Sequence, residues 1–153
     1  MARNYSYCSN ASNAASSSVP MATIISTANI RPKVYEVGIG SDASPGDQAA
    51  KYALQRCTST GTPGSSPTAA PLDIADPAAQ VTCGLAVFSV NPTLTAGAIP
   101  WQVAINQRAT YRWLAKDGYE IVMPATASNG LALMPLVCTS GGYNVDFSLV
   151  WAE

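Results

Sequence analysis

Histidine is absent from the 153 residues, and only 11% of them are charged, whereas an average domain has about 25% charged residues. Without histidine the chain has no side chain that readily transfers protons near neutral pH. Ser/His and Cys/His nucleophile pairs and imidazole metal sites are also excluded. The composition therefore predicts a protein that is not an enzyme and uses no cofactor.

Long apolar runs are also missing. No stretch approaches the ~20 residues of a membrane span, and the N-terminus lacks the apolar core of a signal peptide. We therefore expect synthesis in a cytoplasm and no membrane partner. A net charge of -1 gives no broad basic footprint, so no direct nucleic-acid partner is expected. So few charges give a free monomer little protection against association, and we expect much of the surface to be covered in the working state.

The four cysteines are far apart in the sequence and match no zinc-ligand spacing. We expect three of them, which lie in apolar stretches, to be small buried hydrophobes. A disulfide among them stays open if the mature protein meets an oxidising exterior. The cysteines are Cys8, Cys57, Cys83 and Cys138, and the last three are those in apolar stretches.

The clearest pattern in the chain is the alternation of apolar and polar residues. It predicts an all-β, antiparallel, jelly-roll-like sandwich of about eight strands, with long loops and an extended N-terminal arm. An immunoglobulin-like sandwich is the main alternative, but its Cys…Trp…Cys spacing is missing. The predicted strands are Met21–Ala28, Lys33–Gly40, Lys51–Thr58, Val81–Val90, Trp101–Ile105, Tyr111–Leu114, Tyr119–Met123, Leu131–Cys138 and Tyr143–Trp151.

Four of these segments carry more specific expectations. Val81–Val90 is almost continuously apolar or small, which favours a strand buried on both faces. Asp117-Gly118 between apolar runs predicts a hairpin. Pro135 predicts an edge or bulged strand, because proline has no N–H to donate. In Tyr143–Trp151 every odd-numbered residue is apolar, which predicts a strand with one buried face.

Two polar segments without strand alternation define the domain organisation. Residues 1–19 are predicted to be a flexible or extended polar arm, and residues 20–153 a single sandwich domain. Within that domain, residues 59–79 are rich in Pro, Ser and Thr, and no sheet interior tolerates so many prolines. Loops of this length usually make a contact or are mobile.

Two resemblances to known proteins follow from these segments. Asp117–Pro124 looks like the turn and strand of cupin-type jelly rolls, although the absent histidines argue against cupin metal chemistry. The charge-poor, all-β chain with its polar arm and Pro/Ser/Thr loop is similar to the small decoration, or cement, proteins of tailed bacteriophage capsids. The second resemblance covers residues 20–153 as a pattern of strands and loops.

The resemblance to decoration proteins implies a partner and a location. The chain is then a structural virion component on the capsid exterior, a homotrimer or other small oligomer that clamps neighbouring major capsid subunits. The arm and the proline-rich loop are the expected contact elements. The partner-binding residues on this interpretation are Tyr5, Tyr7, Val19, Pro63, Pro67 and Pro71.

Two other functions stay open at this point. A carbohydrate-binding module or fibre head would bind sugars through Trp101, Tyr111 or Tyr119 if those rings are exposed. A self-assembling coat subunit would use the same apolar faces to build a shell or filament.

Overall fold

The computed structural model describes residues 2–12, 19–137 and 143–153. These residues form strands and loops without a helix, which confirms the all-β prediction. The strands are β1 (Asn4–Ser12), β2 (Ala22–Ile25), β3 (Lys33–Ala43), β4 (Ala49–Cys57), β5 (Ala70–Pro71), β6 (Thr82–Leu85), β7 (Trp101–Asn106), β8 (Tyr111–Leu114), β9 (Ile121–Val122), β10 (Gly130–Val137) and β11 (Asn144–Ala152).

The strands form two antiparallel sheets packed face to face. Sheet A has the order β5-β1-β11-β3-β8, with β9 also paired to β3, and sheet B has the order β6-β2-β10-β4-β7. The pairing is nested along the chain, since β1 pairs with β11, β2 with β10, β3 with β8 and β4 with β7. The sandwich is therefore confirmed. Its jelly-roll form stays a prediction, which this nesting favours.

The last strand lies at the centre of sheet A and carries much of the core. Its odd-numbered apolar residues are all buried, as the sequence predicts. Phe147 packs edge to face against Tyr7, with ring centroids 5.2 Å apart, and Trp151 stacks on Tyr5 at 6.2 Å. Such aromatic pairs contribute stability beyond their buried area.

The N-terminal segment is part of this core. Residues 4–12 form β1 between β5 and β11, and Tyr5 and Tyr7 are only 1% and 2% exposed. The prediction of a flexible arm outside the domain is therefore wrong for residues 4–12. The small polar residues that suggested an arm alternate with these aromatic rings and face away from the core. Residues 13–18 of the predicted arm lie outside the described residues.

Strand β10 corrects the expectation attached to Pro135. The strand lies between β2 and β4 in the middle of sheet B, so an edge position is wrong, while a bulge between Pro135 and Val137 is confirmed. Pairing with β2 ends at Leu133, opposite Ala22. Pro135 lies beyond the end of that ladder, so its missing N–H breaks no hydrogen bond there.

Two further expectations are corrected by the pairing. The predicted strand Val81–Val90 is confined to β6, which lies at an edge of sheet B. Asp117-Gly118 does not join a hairpin, because β8 and β9 both pair with β3 and not with each other. The segment between them is a loop in an interrupted edge strand, and Gly118 provides its positive φ of 84°.

The proline-rich loop lies against the outer face of sheet B. Ala132 and Met134 alternate with core residues of β10, so they face away from sheet A, yet both are 0% exposed. A Cβ on Gly84 of β6 would lie 3.1 Å from the Pro63 ring, and Thr62 pairs with Val90 in an isolated bridge. The loop segments therefore add a partial third layer over sheet B.

Candidate interaction surfaces

Tyr5 and Tyr7 cannot contact a partner in this fold. Their rings are buried, and their hydroxyls donate to main-chain carbonyls, Tyr5 to Pro77 O at 3.0 Å and Tyr7 to Gly84 O at 3.2 Å. Burial raises the pKa of both hydroxyls. The prediction that these two residues bind a partner is wrong, because Tyr5 instead joins β1 to the loop at Pro77 and Tyr7 joins β1 to β6 of sheet B.

The three predicted prolines hold their loop on the domain. Pro63 packs beside Gly84, Pro67 lines a shallow pocket together with Cys83, and Pro71 pairs with Tyr5 in the β5–β1 ladder. All three are partly buried. The loop thus runs from sheet B to the edge of sheet A and covers the lateral side of the sandwich where β5 and β6 are the edge strands. Its prolines remain partly accessible to a partner but do not form a free arm.

Val19 lies on an apolar groove of about 200 Å³ at one end of the sandwich. Strands β1 and β10 end here, and the chain enters β2. Val87 on the rim of the groove is 79% exposed. The groove is lined by Asn10, Ala11, Val19, Pro20, Met21, Ala86, Val87 and Pro135.

Leu72 and Ile74 form a second apolar surface, which we call the apolar knob. Ile74 is 97% exposed and Leu72 is 58% exposed. The turn that carries them is fixed, because Leu72 N donates to Asn4 O at 2.8 Å and Ala75 N to a carboxylate oxygen of Asp73 at 3.0 Å. Sequence reasoning missed this site, although an isoleucine within a turn bounded by aspartates is an available signal.

A third surface lies along β7 and β8, the edge strands on the lateral side opposite the proline-rich loop; we call it the open side. Four of its apolar residues contact the core yet remain partly exposed, and β7 carries no charged residue. By strand alternation the backbone groups of Gln102 and Ala104 point away from β4. Natural proteins usually protect such edges with charges or prolines. The four apolar residues are Val103, Ile105, Tyr111 and Trp113.

The outer face of sheet A is mostly small and polar. Its one ion pair among the described residues joins Arg112 to Glu36 through two hydrogen bonds of 2.6 and 2.9 Å. This contact lowers the pKa of the Glu36 carboxyl. The pair lies near the solvent, where ion pairs contribute little to stability.

The aromatic residues proposed for sugar binding do not share a surface. Trp101 is buried in the core, so its role in the carbohydrate hypothesis is wrong. Tyr111 packs near it, with ring centroids 6.3 Å apart, whereas Tyr119 is exposed in the loop between β8 and β9. These three residues do not form a stacking platform for a sugar.

No protein-family model, curated protein or solved structure matches the chain. Within residues 2–12, 19–137 and 143–153, no three cysteine or carboxylate side chains lie close enough to hold a metal ion. The described part of the chain also contains no helix with the length and apolar character needed to cross a membrane.

The cysteines give a direct test of burial. Cys8 is exposed, Cys57 and Cys83 are buried free thiols, and Cys138 lies outside the described residues. Burial raises the pKa of these two thiols to about 11 and about 12. The thiolate is the reactive form, so we expect iodoacetamide at pH 8 to label Cys8 in the native protein and Cys57 and Cys83 only in denaturant. Peptide mass mapping assigns each site, and native labelling of Cys83 as fast as Cys8 would contradict the structure.

Proposed function

We propose that the chain is a structural virion component, a decoration protein that oligomerises on the exterior of a tailed bacteriophage capsid and clamps neighbouring major capsid subunits. On this proposal it is made in the host cytoplasm and acts without catalysing a reaction. The observation that carries the proposal is the contrast between the two lateral sides of the sandwich. The chain covers one side with its own loop and leaves the open side with partly exposed core residues.

The open side is suited to a protein partner. Its apolar residues are continuous with the core, and its edge strand can accept an extended segment through main-chain hydrogen bonds. We assign this surface to the major capsid protein. Two copies paired edge to edge through β7 would form a closed two-fold dimer, which would leave no open side for a capsid.

A decoration protein stabilises a shell through mass action. A small oligomer that contacts several capsid subunits at once gains avidity from multivalency. Because only the assembled shell presents all of these contacts, binding shifts the equilibrium towards the intact particle. A low-charge, partly apolar surface fits this role, since it is covered in the working state.

The test uses capsids assembled without the chain and then supplied with purified protein. We expect the wild-type protein to bind and to raise the temperature at which the shells break. Ala104→Glu places a carboxylate on the exposed outer face of β7, next to the edge with which a capsid segment would pair, and burying an unpaired charge in that contact costs several kcal/mol. This variant should therefore bind roughly tenfold or more weakly.

Ala127→Glu is the matched control, because Ala127 is also exposed but lies in a loop outside β7 and β8. It should bind like the wild type, and both variants should unfold at the wild-type temperature. Shells whose breaking temperature is unchanged by bound wild-type protein would contradict the proposed function.

A further inference from the structure

The apolar knob and the apolar groove lie near opposite ends of β1. Leu72 of the knob bonds to Asn4 at the start of the strand, and Ala11 near its end lines the groove. Seven residue steps of ~3.3 Å separate these positions by about 23 Å. A contact between the knob of one copy and the groove of another would therefore join the molecules head to tail.

The two surfaces match in chemistry. The knob exposes two large aliphatic side chains on a fixed turn, and the groove has a mostly apolar lining with an exposed rim at Val87. Apolar side chains on a rigid turn are well suited to fill a preformed concave site, because little conformational freedom is lost on binding.

One pair of opposite charges lies close to the two surfaces. Asp73 lies beside Ile74 on the knob, and Lys51 pairs with Val137, two residues beyond the groove residue Pro135. The ion pairs within the described residues involve other side chains, namely Arg3 with Asp76 and Arg112 with Glu36. Asp73 and Lys51 are therefore available to each other across a contact between copies, where opposite charges set the orientation.

We propose that the knob of each copy binds the groove of a second copy of this chain. Such a contact is heterologous, so it produces a closed ring where the rotation between copies closes and an open filament where it does not. The inference rests on the proposed function and deepens it, since a ring of three copies is the oligomer expected of the decoration protein. The open side remains free for the capsid in this arrangement.

Size-exclusion chromatography with light scattering on the full chain tests the contact. We expect the wild type to form a small closed oligomer, and Ile74→Glu and Val87→Glu each to raise the dissociation constant by at least about tenfold. Tyr119→Glu is the control, because Tyr119 is also highly exposed but lies outside both surfaces. It should keep the wild-type oligomer, and all three variants should unfold at the wild-type temperature.

Mixing the two defective variants gives a sharper readout. The Val87→Glu protein retains an intact knob and the Ile74→Glu protein retains an intact groove. A heterologous contact therefore predicts that an equimolar mixture forms a heterodimer and no larger species, while each variant alone is monomeric. An interface made by the same patch on both copies would not produce this result.

The outcomes separate the inference from the proposed function. A wild-type oligomer that neither substitution weakens would overturn the knob-and-groove contact. Stabilisation of capsids by the wild-type protein would still support its function as a decoration protein. A wild-type protein that stays monomeric at all concentrations would also overturn the contact. Long filaments that both substitutions abolish would support the contact and favour the coat-subunit alternative over the ring.

Discussion

Replacing Tyr7 by alanine is expected to lower the free energy of unfolding by about 3–5 kcal/mol, the usual range for removing a buried aromatic ring. The ring of Tyr7 is 2% exposed and packs against Phe147 with centroids 5.2 Å apart. Its hydroxyl donates to Gly84 O, so the substitution also leaves a carbonyl without its partner. Domains are stable by only about 5–15 kcal/mol, so this is a large fraction of the total.

Cys8→Ala is the matched control, because Cys8 is the next residue of β1 and faces the solvent. We expect it to change the free energy of unfolding by less than about 0.5 kcal/mol. Guanidinium denaturation followed by tryptophan fluorescence measures both variants. Equal, small effects of the two substitutions would mean that residues 4–12 are a free arm and not a strand of sheet A.

A comparison of β1 with β11 shows which strands the sequence alone can predict. Strand β11 is recognisable from the chain alone, since the five odd-numbered residues from Tyr143 to Trp151 are apolar and three of the four residues between them are polar. Strand β1 has the same alternation, but its outward residues are Asn, Ser and Cys, which also suit a polar arm. Its burial depends on pairing with β11, more than 130 residues away, and local pattern does not reveal that pairing.

The position of β10 has a similar explanation. The rule that proline avoids central strands is local, whereas the actual constraint is whether a hydrogen-bonding neighbour is present at that residue. Strand β2 pairs only as far as Leu133, so Pro135 is tolerated in the middle of the sheet. The length of a neighbouring strand is a property of the fold and cannot be read from the residues around Pro135.

The candidate surfaces are equally hard to predict from the sequence, because each combines segments that are far apart in the chain. The sequence predicts Val19 as a contact residue, but the groove that Val19 lines brings together the end of β1, the entry to β2, the segment after β6 and the end of β10. Only the sheet topology places these segments side by side. The open side also depends on topology, because β7 has neither the charges nor the prolines that often mark an edge strand in the sequence.

Gly130→Ala tests this topology at the centre of sheet B and is expected to cost about 3 kcal/mol or more, or to prevent folding. Gly130 begins β10 and pairs with Ile25 on one side and Cys57 on the other. A Cβ at this position would lie 2.1 Å from Ile24 O and 2.9 Å from the Ile25 Cα. These are backbone atoms held in a ladder, so they cannot move aside as a flexible side chain could, and overpacking of this kind is strongly destabilising.

Gly40→Ala provides a control of the same type in a strand of the other sheet. Its added Cβ would meet only the Thr110 side chain, at an ordinary contact distance of 3.5 Å. Because glycine in a strand costs conformational entropy relative to alanine, we expect this variant to be neutral or stabilised by up to about 1 kcal/mol. Denaturant unfolding compares the two variants directly. A Gly130→Ala protein as stable as Gly40→Ala would show that β10 does not lie against β2, and the groove between the end of β10 and the entry to β2 would then lose its basis.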